Sequence, residues 1–276
     1  MNTSNLQGRA VVVTGAGSGI GRETALLAAR RGADLAICDV DDVGLADTEA
    51  SARALGRHVL ARHVDVADRE QMREFADTVH DELGVVDLLV NNAGVGLGAG
   101  LLETKLEDWD WIVAINIMGV VHGCHLFLPR MVERGRGGHV VNLSSAAGFY
   151  ATPSLVAYSA TKFAVLGLSE SLREELQPHG IGVTAICPGI INTPITSHSR
   201  MRGAAAEPGA RERIVALYSR RNYGPERVAE NILKAVERNR SVAPVAPEAW
   251  FAYGLKRVSP RLAGWTARRM DALGRR

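Results

Sequence analysis

A chain of 276 residues can bury a sizeable core, and 46% apolar residues, 22% charged residues and 29 Gly against 10 Pro exclude a disordered, collagenous or coiled-coil protein. Thirty-two Lys and Arg against 30 Asp and Glu leave a net charge of +2, so no global field draws the chain to nucleic acid. Cys38, Cys124 and Cys187 are far apart and lack CxxC spacing, which suggests neither a disulfide framework nor a zinc site and fits a reducing cytoplasm.

Only MNTSNLQG precedes the first apolar run, so no signal peptide is expected. The uncharged stretches 140–161 and 180–199 are interrupted by Pro, Asn, Ser and Thr, and no transmembrane helix is expected. Short β-branched runs at 10–14, 34–39, 59–64, 87–91, 139–144 and 182–187 alternate with longer segments of helical period. Continuous apolar strands alternating with helices predict an α/β class with a doubly wound parallel sheet, a Rossmann fold, in a single domain over 1–246. After Pro188 the pattern loosens; 195–223, with SRMRGAAAEPGARER, reads as a mobile substrate flap, and Pro225-Glu226 opens a helix to about residue 239.

Gly15, Gly17, Gly19 and Gly21 in VVVTGAGSGIGRETA follow the first strand and open a helix, where backbone can approach a pyrophosphate. A Walker loop is excluded because no Gly-Lys-Ser/Thr follows, and GxGxxG fails because Ile20 stands at its third glycine; an ordinary strand-helix turn is the bland alternative. Asp39 ends the second strand, 18 residues after Gly21, where a carboxylate can accept both ribose hydroxyls and repel a 2'-phosphate. With Val40, Asp41 and Asp42 following and no Arg or Lys in the loop, NAD is favoured over NADP, unless Asp39 is only a polar strand end.

Tyr158 and Lys162 are spaced i, i+4, so a helix puts phenol and ammonium on one face. A neighbouring ammonium favours phenolate and makes a tyrosine usable as a base, although such pairs are more often ordinary surface pairs. Thirteen residues before Tyr158, at a strand end, stands Ser145, whose hydroxyl can orient a substrate oxygen; Ser144 is the near miss.

Together these residues resemble the short-chain dehydrogenase/reductase family, from residue 8 to about 245. The family's TGxxxGxG falls on Thr14 to Gly21, Asn-Asn-Ala-Gly on Asn91 to Gly94, its serine on Ser145, Tyr-x-x-x-Lys on Tyr158 and Lys162, and Pro-Gly…Thr on Pro188, Gly189 and Thr193. The resemblance implies that Gly15, Ser18, Gly19, Ile20, Gly21, Asp39, Asp65, Val66, Asn92, Tyr158, Ile191 and Thr193 bind the cofactor, with Lys162 also on the nicotinamide ribose. It implies that Asn116 holds a water for proton relay from Lys162, and that Tyr158 exchanges a proton with the substrate oxygen as hydride moves to or from NAD. By the same resemblance Val95, Leu97, Phe149, Tyr150, Leu155 and Ile190 reach the substrate, which predicts a hydrophobic secondary alcohol or ketone. Assembly as a homodimer or homotetramer would use the helices carrying Asn116 and Tyr158. A catalytically marginal nucleotide-binding or scaffold protein acting through its C-terminal arm is the alternative.

His122, Cys124 and His125 read as a packed helix rather than metal ligands, so no metal is expected. Arg200, Arg202, Arg211, Arg213, Arg220 and Arg221 read as a solvated helix face rather than an acid-binding surface. The segment 247–276 predicts a basic amphipathic extension of two helices, 247–258 and 260–273, with Ser259 capping the second. Trp250, Phe251, Leu255 and Val258 are assigned to the apolar face of the first, and Leu262, Trp265, Met270 and Leu273 to that of the second. Docking on protein is favoured over peripheral contact with an anionic membrane.

Overall fold

The computed structural model describes residues 1–274, with side chains in the last helix through Arg269; Met270 and Leu273 lie outside the described side chains. In chain order it forms β1 (Ala10–Thr14), α1 (Gly19–Arg30), β2 (Asp34–Asp39), α2 (Asp42–Ala54), β3 (Val59–His63), α3 (Arg69–Glu82), β4 (Leu88–Asn91) and β5 (Leu97–Gly98). Then come α4 (Leu106–Val113), α5 (Gly119–Arg134), β6 (Gly138–Leu143), α6 (Val156–Leu176), β7 (Ile181–Pro188), α7 (Ile195–His198) and β8 (Arg200–Met201). The chain continues through α8 (Ala210–Arg221), α9 (Pro225–Glu237), β9 (Val242–Val245), α10 (Pro247–Val258) and α11 (Pro260–Gly274).

Seven strands form one parallel sheet in the order β3-β2-β1-β4-β6-β7-β9. Every residue of β1 and β4 is buried, as strands covered on both faces require. Val11, Val13, Leu35 and Ile37 face a core closed by α1, α2 and α9; Val12, Ala36 and Leu89 face one closed by α3, α5 and α6. Burying each large side chain there contributes roughly 1.5–3 kcal/mol. Asp41 and Asp68 accept from backbone N–H groups at the starts of α2 and α3, fixing where those helices begin. The strand order reverses between β1 and β4, so the loops after these strands diverge and open a crevice at the carboxyl ends of the sheet.

Residues Leu106–Arg134 form a helical stretch long and apolar enough to cross a membrane by length and composition, although the uncharged stretches of the sequence led to no such expectation. Half of its apolar window is buried inside the protein, with Ile112, Phe127 and Met131 in the core, as a central helix of an α/β layer would be. A π turn at residues 114–118 interrupts it and carries Asn116, fully buried. Such turns often mark sites where a helix must present a side chain out of register.

The flap contains more order than its composition suggested. β8 pairs with β5 in a two-stranded parallel ribbon, Leu97 opposite Arg200 and Gly98 opposite Met201. The solvated-face reading of its arginines is corrected at four positions. Arg200 and Arg202 both bind Asp108, which is 1% exposed; Arg211 donates to the carbonyls of Thr196, Ser197 and Ser199; Arg221 binds Glu248.

The extension begins and breaks where expected, with Leu262 N–H donating to Ser259 Oγ at 3.3 Å. Its inward face is not the expected one. Ala249, Ala252, Ala263 and Ala267 are buried, whereas Trp250, Phe251, Val258, Leu262 and Trp265 are exposed. Small residues let α10 lie close to the body and α11 close to α10, and large apolar groups are left outside, Trp250 beside Arg240 and Trp265 beside Arg269.

Candidate active site

The β1–α1 turn is built from residues that leave room. A Cβ on Gly21 would lie 2.0 Å from the Gly15 carbonyl oxygen, and Gly15, at φ +65°, would put one 2.7 Å from the Ala93 Cα. The turn is stitched to β4 by Asn92, whose Nδ2 donates to the carbonyls of Thr14 and Gly15, both at 2.9 Å. Ser18 occupies the N-cap of α1 but makes no side-chain cap bond, and no acidic residue stands in the first turn. The N–H groups of Gly19, Ile20 and Gly21 at the positive end of the helix therefore face no competing anion from that turn.

Asp39 closes the mouth of the turn. Its Oδ2 accepts from Gly17 N–H at 2.7 Å, and its Oδ1 accepts from Val40 and Asp41 N–H at 2.7 and 3.0 Å. The carboxylate is thus fixed beside the glycines, where it can accept ribose hydroxyls and where a 2'-phosphate would meet its charge. Further along the crevice, Asp65 Oδ1 caps Ala67 N–H, and Val66 is buried against Gly119 with its carbonyl accepting from His122 Nδ1. Thr193 reaches the loop from the other side, 3.4 Å from where a Gly19 Cβ would stand, and Ile191 behind it is 4% exposed. An amide-lined turn, a carboxylate at its mouth and a polar loop opposite fit a dinucleotide.

Ser145, Tyr158 and Lys162 are brought together beyond that loop. Ser145 follows β6, its Oγ accepts from Ala147 N–H at 3.1 Å, and its hydroxyl is hydrogen-bonded to the Tyr158 phenol. One helical turn on, Lys162 is 4% exposed and donates from Nζ to the Leu143 carbonyl at 2.8 Å, with Nζ 5.7 Å from the Tyr158 ring centre. Ser144 is structural: its Oγ donates to the Lys162 carbonyl at 2.8 Å.

The electrostatics differ from the expectation that Lys162 lowers the phenol. Burial pushes Tyr158 up to about 12, opposed by the bond from Ser145 and reinforced by the nearby Tyr218 and Cys187. Burial likewise pushes Lys162 down to about 8. In this protein by itself desolvation is the largest influence on both groups.

Asn116 sits beside the triad, but its side chain is a clamp. Oδ1 accepts from Val95 N–H at 2.8 Å, and Nδ2 donates to the Val95 carbonyl and Thr161 Oγ1 at 3.0 and 3.1 Å. It ties the strand-end loop to α6. Asn116 Oδ1 and Lys162 Nζ both approach Gly94, at 3.2 and 3.4 Å from a notional Cβ.

Two expected pocket residues are engaged elsewhere. Phe149 is 4% exposed and stacks edge-on against Tyr253 of α10 at 5.2 Å, and the Tyr150 hydroxyl donates to Thr266 Oγ1 of α11 at 2.8 Å. Leu97 is buried in an apolar wall with Ala99, Ile112 and Ala157, on which Val95 and Tyr158 rest; Leu155 and Ile190 are half-buried. The histidines are dispersed: Cys124 lies against Asn91 and Asn142, His122 is taken by Val66 and His125 is exposed.

Residues that the sequence reading missed enter from the flap and the extension. Tyr218 on α8 is close enough to influence Tyr158, and Glu248 on α10 accepts from Ile190 N–H. A Pro-Glu pair opening a helix was visible, but no local pattern says that its carboxylate reaches 58 residues back along the chain.

The sequence profile of the short chain dehydrogenases matches residues 9–203. The chain is similar to the probable oxidoreductase EphD of Mycobacterium tuberculosis, 44% identical over 262 residues covering 94% of this chain and 44% of that protein, so it spans under half the length of that relative. It is also similar to 1-deoxy-11-beta-hydroxypentalenate dehydrogenase of Streptomyces exfoliatus, 38% identical over 208 residues, 75% of this chain and 74% of that one. A short-chain dehydrogenase/reductase from Burkholderia phymatum, solved in complex with NAD, superposes with a TM-score of 0.85 at 34% identity, covering 94% of this chain and 96% of the other. The matched span carries the glycine turn, Asp39, Ser145, Tyr158 and Lys162, and on that agreement of sequence, fold and site the chain belongs to the short-chain dehydrogenase family.

Proposed function

We propose that the chain is an NAD-dependent oxidoreductase that interconverts a hydrophobic secondary alcohol and its ketone. One observation carries this reading: the phenol of Tyr158, hydrogen-bonded to Ser145 and backed by the buried Lys162, stands at the same end of the sheet as a glycine turn whose ribose position is guarded by Asp39. NAD, when bound, supplies the hydride acceptor or donor and, in its oxidised form, a positive ring that favours phenolate.

Gly15, Ser18, Gly19, Ile20 and Gly21 hold the pyrophosphate end, Asp39 the adenosine ribose, Asp65 and Val66 the adenine side, and Asn92, Ile191, Thr193 and Lys162 the nicotinamide half. Ser145 orients the substrate oxygen. In reduction, Tyr158 with its raised pKa is a protonated donor, giving its proton to the carbonyl oxygen as the carbon gains hydride; in oxidation it takes the hydroxyl proton as the carbon loses hydride. The relay through Asn116 belongs to this proposal.

The wall of Leu97, Ala99 and Ile112 under Tyr158, with Val95, Leu155 and Ile190 at the cleft, supports an apolar substrate, since it offers a polyol no partners. The pentalenate dehydrogenase relative, whose name denotes a hydroxylated carbocycle, supports the same class. Assembly through the helix carrying Asn116 and through α6, where Phe163 is 38% exposed, and residence in a reducing cytoplasm are part of the reading. NADH formation with a panel of cyclic and long-chain secondary alcohols tests it. Turnover of a polyol with none of these alcohols contradicts the substrate class.

A further inference from the structure

We infer that Glu248, at the start of the C-terminal extension, is a positioning residue that latches the substrate flap onto the loop facing the nicotinamide. This rests on the reading of loop 188–193 as part of the cofactor site. Glu248 uses its two oxygens on two different elements. Oε1 accepts from the Ile190 N–H at 2.9 Å, and Oε2 accepts from Arg221 Nη2, on the last turn of α8, at 2.8 Å.

The surroundings are shaped for this approach. Gly189 has no side chain, and a Cβ there would lie 2.6 Å from Oε1. Gly189 N–H also donates to the Val245 carbonyl at 3.0 Å, so the loop is pinned to the end of β9. Between β9 and α10, Ala246 takes φ +79°, a left-handed conformation that a residue with a Cβ adopts only when its surroundings impose it. That turn aims the first residues of α10 at the Gly189–Ile190 peptide. Partial burial raises the Glu248 carboxyl, yet hydrogen bonds from Arg221 and Ile190 hold it below the usual carboxylate range, so it stays charged.

The consequence reaches the chemistry through α8. Tyr218 precedes Arg221 by three residues, on the same side of that helix. It is influenced by Glu248 on one side and influences Tyr158 on the other. Fixing Arg221 therefore fixes the helical turn that carries Tyr218, and the Tyr223 carbonyl, accepting from Asn192 N–H at 3.0 Å, secures the flap's far end to the same loop. The extension thereby helps shape the substrate cleft although Glu248 touches neither substrate nor reacting atoms.

The test uses the full chain and four variants: Glu248→Gln, which keeps an acceptor for Ile190 N–H but loses the ion pair; Arg221→Gln; the two combined; and Glu248→Ala. Chymotryptic cleavage within 195–223 reads flap opening, hydrogen exchange of α9 reads general loosening, and NADH fluorescence reads cofactor affinity. Glu248→Gln and Arg221→Gln should each speed flap cleavage about two- to fivefold, the size of a half-exposed ion pair, and the double variant no further. Added salt should speed cleavage of wild type and not of Glu248→Gln. Glu248→Ala, leaving Ile190 N–H without its acceptor, should weaken NADH about tenfold. With a medium-chain aliphatic ketone as probe, the two Gln variants should raise KM with kcat nearly constant. Additive effects of the two Gln substitutions, unchanged flap cleavage, or equal loosening of α9 overturns the latch. If wild type fails to bind NADH, the cofactor reading falls, while non-additive cleavage in the free protein still reports the Glu248–Arg221 coupling.

Discussion

Lys162 is buried at a cost, and that cost can be measured. It is 4% exposed, has Leu143 O as its hydrogen-bond acceptor, and burial pulls its pKa from 10.5 to about 8. That fall corresponds to roughly 3 kcal/mol against the charged form in the folded state. Lys162→Met keeps the length of the side chain and removes the charge; losing the bond to Leu143 returns about 1 kcal/mol of the gain. The variant should be about 2 kcal/mol more stable than wild type at pH 7 and lose turnover a hundredfold or more, with weaker NADH binding.

The sign follows from linkage. Below pH 8 the lysine is protonated in both folded and unfolded chains, so the cost is fully present. Between 8 and 10.5 the folded chain releases its proton while the unfolded one keeps it, so wild-type stability contributed by this group rises with pH. The advantage of Lys162→Met should therefore shrink by about 2 kcal/mol between pH 7 and 9.5. Urea unfolding of both proteins at these two pH values, kept below the range where Tyr158 and ordinary tyrosines begin to differ, provides the numbers. A variant less stable than wild type at pH 7, or a difference that does not change with pH, refutes the argument that this ammonium is held against its solvation.

Tyr158→Phe should abolish turnover, by a thousandfold or more, and leave NADH affinity within about threefold, because only the proton-transferring oxygen is lost; fluorescence titration beside the rate assay separates the two. For carbonyl reduction, kcat/KM should fall as pH rises through about 8, where the free protein's Lys162 loses its proton, and a profile flat to pH 10 opposes this. Wild type should prefer NAD over NADP by about tenfold or more in kcat/KM, and Asp39→Ala should narrow the ratio; comparable efficiencies with both cofactors in wild type would sink the ribose assignment. Removal of 247–276 uncovers Phe149 and leaves Arg221 and Ile190 N–H without Glu248, so it should lower solubility and loosen the flap more than it alters the Tyr158 proton transfer, which single-turnover rates at saturating ketone can show.

Five of the six strands that the sequence made legible, β1, β2, β4, β6 and β7, are interior and largely buried, and so read as apolar, β-branched runs; β3, at one edge, was legible from its buried Val59 and Leu60. β9, at the other edge, escaped because it contains Pro244, which an edge tolerates but which breaks the apolar, β-branched pattern. β5 and β8 escaped because two residues have no period, and their pairing is set by Asp108 gripping Arg200 and Arg202, residues 92 and 94 positions away.

The site divides along the same line. Gly15, Gly21, Asp39, Ser145, Tyr158 and Lys162 were readable because each position demands a particular chemistry: no side chain, a charge at a strand end, a hydroxyl, a titratable pair one turn apart. The pKa values of Tyr158 and Lys162 were not readable, since spacing reports the neighbour but not the desolvation that is the largest influence on each. The extension makes the complementary point. Amphipathic reasoning assigned the inward face to the largest apolar groups, yet the buried residues of the two helices are Ala249, Ala252, Ala263 and Ala267, while Tyr253 reaches Phe149 and Thr266 reaches Tyr150. Close approach of helices selects small residues, and volume then has to go outward. Beside the Tyr253 ring on Phe149 and the Tyr150 hydroxyl on Thr266, the extension is joined to the cleft by Glu248, whose two oxygens meet a backbone amide and a guanidinium that no sequence pattern places side by side.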